Sequence, residues 1–240
     1  MSGLIAALPM YDWPERRAEV DAQWAAIRDH LRVGGIDAPE ELTRKTDDLY
    51  AFWRQHDLFF SQTCWGPMED GLAEHVQVLG QPSYDGVEGG EGELYSSAII
   101  MRREGVMVDV PAPVTGQATL PLARIRGLRF AYNVPDSMSG FIGISRDLEA
   151  AGETISIFND LVATGGHRAS IRAVADGRAD VAAIDCLSWK LAQKYEPPAQ
   201  ELVVVGWTAK RKGLPYITAN GTSSAAVAAL RDALRNARLV

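Results

Sequence analysis

Two serines flank Met138 in "NVPDSMSGF", and Gly140 follows them directly. The stretch comes straight after a strand-like apolar run, "LRFAY". Serine hydroxyls beside the open N–H groups of a helix start suit an oxyanion, because those N–H groups lack intrahelical partners and carry a partial positive charge. Gly140 omits the side chain that would hold such a ligand away. An ordinary serine cap with a glycine-bearing turn fits the same residues equally well. Gly165, Gly166 and His167 follow a second run, "LVAT", and Ser170 falls in the next helical turn. His167 either contacts an anion or lies on the surface; Ser170 either adds a hydroxyl or solvates the turn. Asp185 ends a third run, "DVAAI". A carboxylate there is costly without a partner, so it serves a site or caps the helix "CLSWKLAQKY". Its charge restricts the ligand. At 4 Å and an effective dielectric of 20, a fully ionised oxyanion and Asp185 repel by about 4 kcal/mol. A ligand bringing a proton or an amine reverses that sign.

Something must bring these clusters together. Ligands of open α/β sheets gather outside the carboxyl ends of strands, and each cluster follows a strand-like run. Around them strands alternate with helices, which predicts an α/β fold with largely parallel sheets. In "ERRAEVDAQWAAIRDHL" one face carries Val20, Trp24, Ile27 and Leu31, and Gly34 and Gly35 end the helix. A second helix is expected over "PEELTRKTDDLYAFWRQ", and a terminal one over "SSAAVAALRDALRNAR", capped by Thr222 or Ser223. "LFFSQTCWG" reads as a strand ending in Thr63, Cys64 and Trp65, and "LYSSAIIMR" as a long apolar strand. Breaks after "LYSSAIIMR" and near "GWTAKRKGLP" predict two lobes joined by two crossover strands: residues 1–100 plus 210–240, and residues 101–209. The ligand cleft is then expected between the lobes. Tyr11, Trp65 and Tyr95 stand at or near strand ends of the first lobe and could shape its wall; hinge or core packing explains Tyr11 and Trp65 as well.

Composition removes other classes. The chain is 47% hydrophobic and 23% charged, with no apolar run long enough to span a bilayer. A formal net charge of −7 opposes nucleic acid as partner. Cys64 and Cys186 lie far apart without metal spacing, so neither a metal site nor a disulfide framework is expected. No motif calls for a cofactor. The first residues, "MSGLIAALPMYDWPE", read as a first strand rather than a secretory signal. As written, the sequence is expected in the cytoplasm, and in the periplasm if a native signal has been trimmed away.

The blocks "FFSQTCWGP", "NVPDSMSG", "GGHRASIRAVADGRADVAAIDCLSW" and "LPYIT" occur in an order that resembles the phosphate/phosphite/phosphonate-binding components of ABC importers. The resemblance covers most of the chain. It implies a two-lobed periplasmic-binding-protein fold of type 2, capture of a small phosphorus oxyanion by lobe closure, and a transporter permease as partner. It implies that Ser137, Ser139 and Gly140 hold the oxyanion, that Met138 stands where the family often has another hydroxyl, and that His167 contacts the anion. Asp185 matches an acidic residue at a strand end, and Tyr95 a cleft tyrosine supplied by the first lobe. The rival expectation is a cytoplasmic enzyme on the same fold, of dehydratase or cofactor-biosynthesis type, with Cys64 as nucleophile and His167 as base. A packed thiol is the plainer reading of Cys64.

Overall fold

The computed structural model describes residues 3–46, 48–105 and 107–240. By its internal contacts the chain forms two compact units, Met1–Ser83 with Gly213–Val240, and Tyr84–Lys212.

In the first unit, four strands form a sheet in the order Ile5–Ala6, Leu58–Gln62, Tyr216–Ala219, Val76–Gly80. The first two run parallel, and Tyr216–Ala219 is antiparallel to both its neighbours. The helix Arg17–Val33 buries the four expected residues, Val20, Trp24, Ile27 and Leu31. Burying each such side chain contributes roughly 1.5–3 kcal/mol. Trp24 stacks on Phe60 at 5.6 Å, and Phe60 on Tyr216 at 5.5 Å. The helix Ser224–Asn236 adds Val227, Leu230, Ala233 and Leu234 to the same core. Ser223 is its cap, with Oγ accepting the Ala226 N–H, while Thr222 pairs with the Thr218 hydroxyl instead. A second core holds Phe52, Trp53, Met68, Leu72 and Ile217.

The second helix predicted for this unit is reduced to Leu49–Trp53, capped by Asp48. Residues 38–40, at the expected start, are not helical, and the long helix uses their carbonyls. Trp24 Nε1 donates to Pro39 O, Arg28 Nη1 to Glu40 O and Arg32 Nη2 to Ala38 O. Thr43 N–H also donates to Ala6 O. Tertiary hydrogen bonds outweigh helix propensity here.

The second unit carries a five-stranded sheet in the order Leu202–Trp207, Ser97–Arg102, Val181–Asp185, Arg129–Tyr132, Asp160–Ala163. The last three are mutually parallel, and the first two are antiparallel to their neighbours. Both sheets are therefore mixed rather than largely parallel. "LYSSAIIMR" also splits: Leu94–Tyr95 joins Gly90–Glu91 and Arg211–Lys212 in a small sheet, and Ser97–Arg102 pairs on both sides within the large one. Phe130 and Phe158 stack at 4.6 Å in a core with Ile99, Ile144, Leu148, Val181 and Val203.

Candidate functional site

Parallel pairing decides where the three clusters go. Phe130 lies opposite Leu161 on one side and Val181 on the other, so three parallel strands end at one edge of the sheet. The residues at or just past their ends are 133–140, 164–167 and 185–188. Ser137 Oγ stands 3.4 Å from Ser139 Oγ, and Ser139 Oγ is 2.8 Å from His167 Nε2. His167 Nε2 is in turn 3.3 Å from Asp185 Oδ2. Groups nearly fifty residues apart thus form one continuous chain of polar contacts.

The serine loop opens a helical segment with a wide first turn. The N–H groups of Phe141 and Ile142 both donate to Ser137 O, at 3.0 and 2.9 Å. The regular helix Gly143–Ala150 follows. Ser137 Oγ accepts the Gly140 N–H at 3.1 Å as a helix cap and also faces Ser139 Oγ. Met138 is buried, its sulfur 3.9 Å from Arg146 Nη1, and contributes no hydroxyl.

His167 begins the helix His167–Ala175. Gly165 precedes it with φ 84°, a left-handed conformation that glycine adopts without steric cost. Burial pushes the His167 imidazole below its ordinary pKa, and the neighbouring Asp185 carboxylate only partly opposes that. The ring is therefore neutral near pH 7. Asp185 Oδ2 can only accept, which makes Nε2 the protonated nitrogen. The one Nε2 proton is shared between Ser139 Oγ at 2.8 Å and Asp185 Oδ2 at 3.3 Å, and Ser137 Oγ accepts from Gly140. Nδ1 is buried without a hydrogen-bond partner among the described residues.

Asp185 also does two things at once. Oδ1 accepts the Ser188 N–H at 2.9 Å as the cap of the helix Cys186–Tyr195, and Oδ2 faces His167. Ser170 is buried, with its hydroxyl 2.7 Å from Thr164 Oγ1. It braces the turn through Thr164, which also reaches Tyr132 O at 2.9 Å. Tyr95 lies in the second unit, not the first, because its strand pairs with Arg211 and Gly90. It is buried, and its ring is 5.5 Å from that of Tyr84.

Two contributors were missed from sequence. Ser97, opposite Asp185 in the sheet, donates its hydroxyl to Ser139 O at 3.0 Å and fixes the serine loop. The signal available was a serine pair inside an otherwise apolar strand. Asn133 is the other, and its carbonyl accepts the Gly165 N–H at 2.9 Å, tying two of the loops together.

Tyr11, Thr63 and Trp65 belong to the first unit. Tyr11 and Thr63 are buried, and Thr63 Oγ1 has no hydrogen-bond partner among the described residues. Trp65 Nε1 donates to Gly213 O at 2.7 Å. Cys64 stands at the cap position of the short helix Trp65–Glu69, half-buried. Burial pushes the Cys186 thiol up, well out of nucleophilic range near pH 7. Among the described residues no group of three His, Cys, Asp or Glu side chains is placed to hold a metal ion, and no helix is long and apolar enough to cross a membrane.

Comparison with known proteins adds the following. Residues 71–238 match the family model described as "ABC transporter, phosphonate, periplasmic substrate-binding protein". No curated protein matches the chain. Among solved structures, PhnD1 from Prochlorococcus marinus in complex with methylphosphonate is 15% identical, with a TM-score of 0.72 over 98% of this chain and 85% of that one. XAC2383 from Xanthomonas citri, bound to chloride ion, is 17% identical, with a TM-score of 0.67 over 96% and 82%. A binding protein component of an ABC phosphonate transporter from Pseudomonas aeruginosa is 15% identical, with a TM-score of 0.64 over 98% and 74%. The fold is the two-lobed α/β fold of periplasmic binding proteins. Nothing in these findings supports the thiol-enzyme alternative.

Proposed function

This chain belongs to the periplasmic substrate-binding proteins of phosphonate ABC transporters, and from that membership we propose that it captures a small phosphorus oxyanion, a phosphonate or close relative, in the periplasm for delivery to a transporter permease. The observation that supports the reading most is the chain of contacts Ser137–Ser139–His167–Asp185 at the opening of a helical segment. In this reading the two compact units are the two lobes. The oxyanion sits on the second, where the Ser137 and Ser139 hydroxyls donate and His167 Nε2 holds Ser139 Oγ in place; the space that a side chain at Gly140 would need is taken by Asn133 Oδ1 rather than left to the ligand. Oriented N–H and O–H donors stabilise an anion locally even on a protein of net charge −7. Tyr95, two residues before Ser97 in the chain, is carried as a ligand-contacting candidate from the family resemblance. Tyr11, Thr63 and Trp65 are secondary candidates from the first unit, with Met138 and Ser170 as support for the second.

Asp185 sets the ligand's protonation. A bare dianion is repelled, whereas a monoanion carrying a P–OH, or a zwitterion carrying an amine, is accepted. Calorimetric titration with phosphate, phosphite, methylphosphonate, an aminoalkylphosphonate and small carboxylates tests the assignment. Phosphorus oxyanions should bind, and at a hundredfold excess over Kd should stabilise the fold by about 2.7 kcal/mol. In Asp185→Asn the dependence of affinity on pH should flatten. Absence of binding by every phosphorus oxyanion contradicts the function; an unchanged pH dependence removes Asp185 from the site.

A further inference from the structure

The Asn133 carboxamide stands apart from the polar chain that joins the serines to His167 and Asp185, yet it lies against the same loop. The residue follows the strand Arg129–Tyr132 and is held there by the bond from Gly165 N–H to its carbonyl. Its side-chain Oδ1 is buried and has no hydrogen-bond partner among the described residues. The position of Oδ1 is defined by Gly140: a Cβ on that glycine would come within 2.0 Å of Asn133 Oδ1 and 3.2 Å of Ser137 Oγ.

An orphaned acceptor in this place has a chemical consequence. A carboxamide oxygen can only accept, and leaving it buried without a donor costs about 1–3 kcal/mol. Ser137 Oγ lies on the other side of the same Gly140 position and is 3.4 Å from Ser139 Oγ, and hydroxyls are donors suited to anionic oxygens. A tetrahedral ligand bearing only bare oxygens satisfies the donors and leaves Asn133 unpaired. A ligand bearing one hydroxyl satisfies both. We infer that Asn133 is a specificity-determining residue of this site, its Oδ1 accepting the P–OH proton of a singly protonated phosphorus oxyanion, so that phosphonate, phosphite and phosphate monoanions are selected over sulfonates and sulfates of similar shape. The inference rests on the oxyanion reading above and divides the acceptors in it: Asn133 takes the single P–OH of a simple monoanion, and Asp185 is left to pair with the amine of a zwitterion.

Methylphosphonate and methanesulfonate provide the test. At a mildly acidic pH, below the second ionisation of the phosphonate, both are tetrahedral monoanions, and only the phosphonate carries a hydroxyl. The wild-type chain should prefer methylphosphonate by about 5- to 150-fold, the range that one unpaired buried acceptor commands. Asn133→Ala should bring the two affinities within a few-fold of each other by weakening methylphosphonate. Asn133→Asp, which keeps an acceptor and cannot donate when ionised, should retain the preference. Thermal melts confirm that each variant folds; if the alanine variant does not, Asn133→Ser, polar but too short to reach, carries the same comparison. A preference that survives Asn133→Ala, or disappears only in Asp185→Asn, overturns the inference and leaves the oxyanion reading standing. A wild-type chain that binds neither ligand overturns both.

Discussion

Adding a single methyl group at Gly140 gives the sharpest check on the geometry of the serine loop. In Gly140→Ala the new Cβ would lie 2.0 Å from Asn133 Oδ1, 2.8 Å from its Cγ and 3.2 Å from Ser137 Oγ. Carbon atoms prefer neighbours at about 3.5 Å or more, so the carboxamide must retreat by roughly 1.5 Å. It has little freedom to do so, because the Asn133 backbone is pinned to Gly165. Overpacking of this kind costs about 1–3 kcal/mol, or a melting temperature lower by about 2–12 °C for a chain of this size. The same displacement disturbs the Ser137 cap of Gly140, and a misplacement of about 1 Å at a positioned group is worth up to 100-fold. Affinity for methylphosphonate should therefore fall at least tenfold. Gly152→Ala is the matched control. Gly152 has φ 78° and no atom within 4 Å of the added carbon, so the change costs about 1–2 kcal/mol of backbone strain and leaves the loop alone. Calorimetric titration and thermal melts of both variants decide the matter. Equal affinity and melting for Gly140→Ala and wild type would refute the loop geometry; equal loss of affinity in both variants would show that stability alone controls binding.

Three further outcomes follow from the charges. Because His167 is held neutral by burial, its folded pKa lies below the unfolded one; its contribution to stability is complete above the ordinary histidine value and is lost as pH falls from there through the lower folded pKa. Urea unfolding across that window should be steeper with pH in wild type than in His167→Gln, and equal slopes would remove the buried-neutral assignment. Asp180 is held at about 2, chiefly by the hydrogen bond from Arg129, with Arg129 Nε and Nη2 donating at 2.9 and 2.7 Å. Its contribution is full above the ordinary aspartate value and fades as pH falls toward about 2; allowing for the exposure of Arg129, Asp180→Asn should cost about 1 kcal/mol at neutral pH and nothing in strong acid. Burial alone would raise the Glu196 carboxyl, but Arg172 and Arg168 outweigh it and hold it below the usual range. Glu196→Gln should cost about 3 kcal/mol by chemical denaturation at pH 7, and a loss under about 0.5 kcal/mol would class the cluster with ordinary surface pairs.

The legible part of this molecule was whatever repeats along the chain or follows a strand. The apolar spacing of Val20, Trp24, Ile27 and Leu31 marked a buried helix face, and that face packs as expected. Strand-end positions pointed Ser139, His167 and Asp185 at one edge, and parallel pairing brings them within hydrogen-bonding reach. What was illegible depends on partners distant in sequence. The stretch from Pro39 looks helical in isolation, yet the carbonyls of Ala38, Pro39 and Glu40 are taken by Arg32, Trp24 and Arg28. Tyr95 was read as part of one long strand with the first lobe; the chain changes sheets at Ser96, and pairing with Arg211 and Gly90 holds the tyrosine in the second unit. Ser97 lies inside "LYSSAIIMR" and Asn133 opens "NVPDSMSGF", yet neither residue type signalled a role, since each matters only through what the fold places opposite it.

Titration of amide resonances with methylphosphonate tests the central claim most directly, because it reports where on the chain the ligand sits. The largest shifts should fall on residues 137–141 and 165–168, and they should vanish in Ser139→Ala at the same ligand concentration. Saturable shifts confined to other parts of the chain, with these two loops silent, would contradict the account.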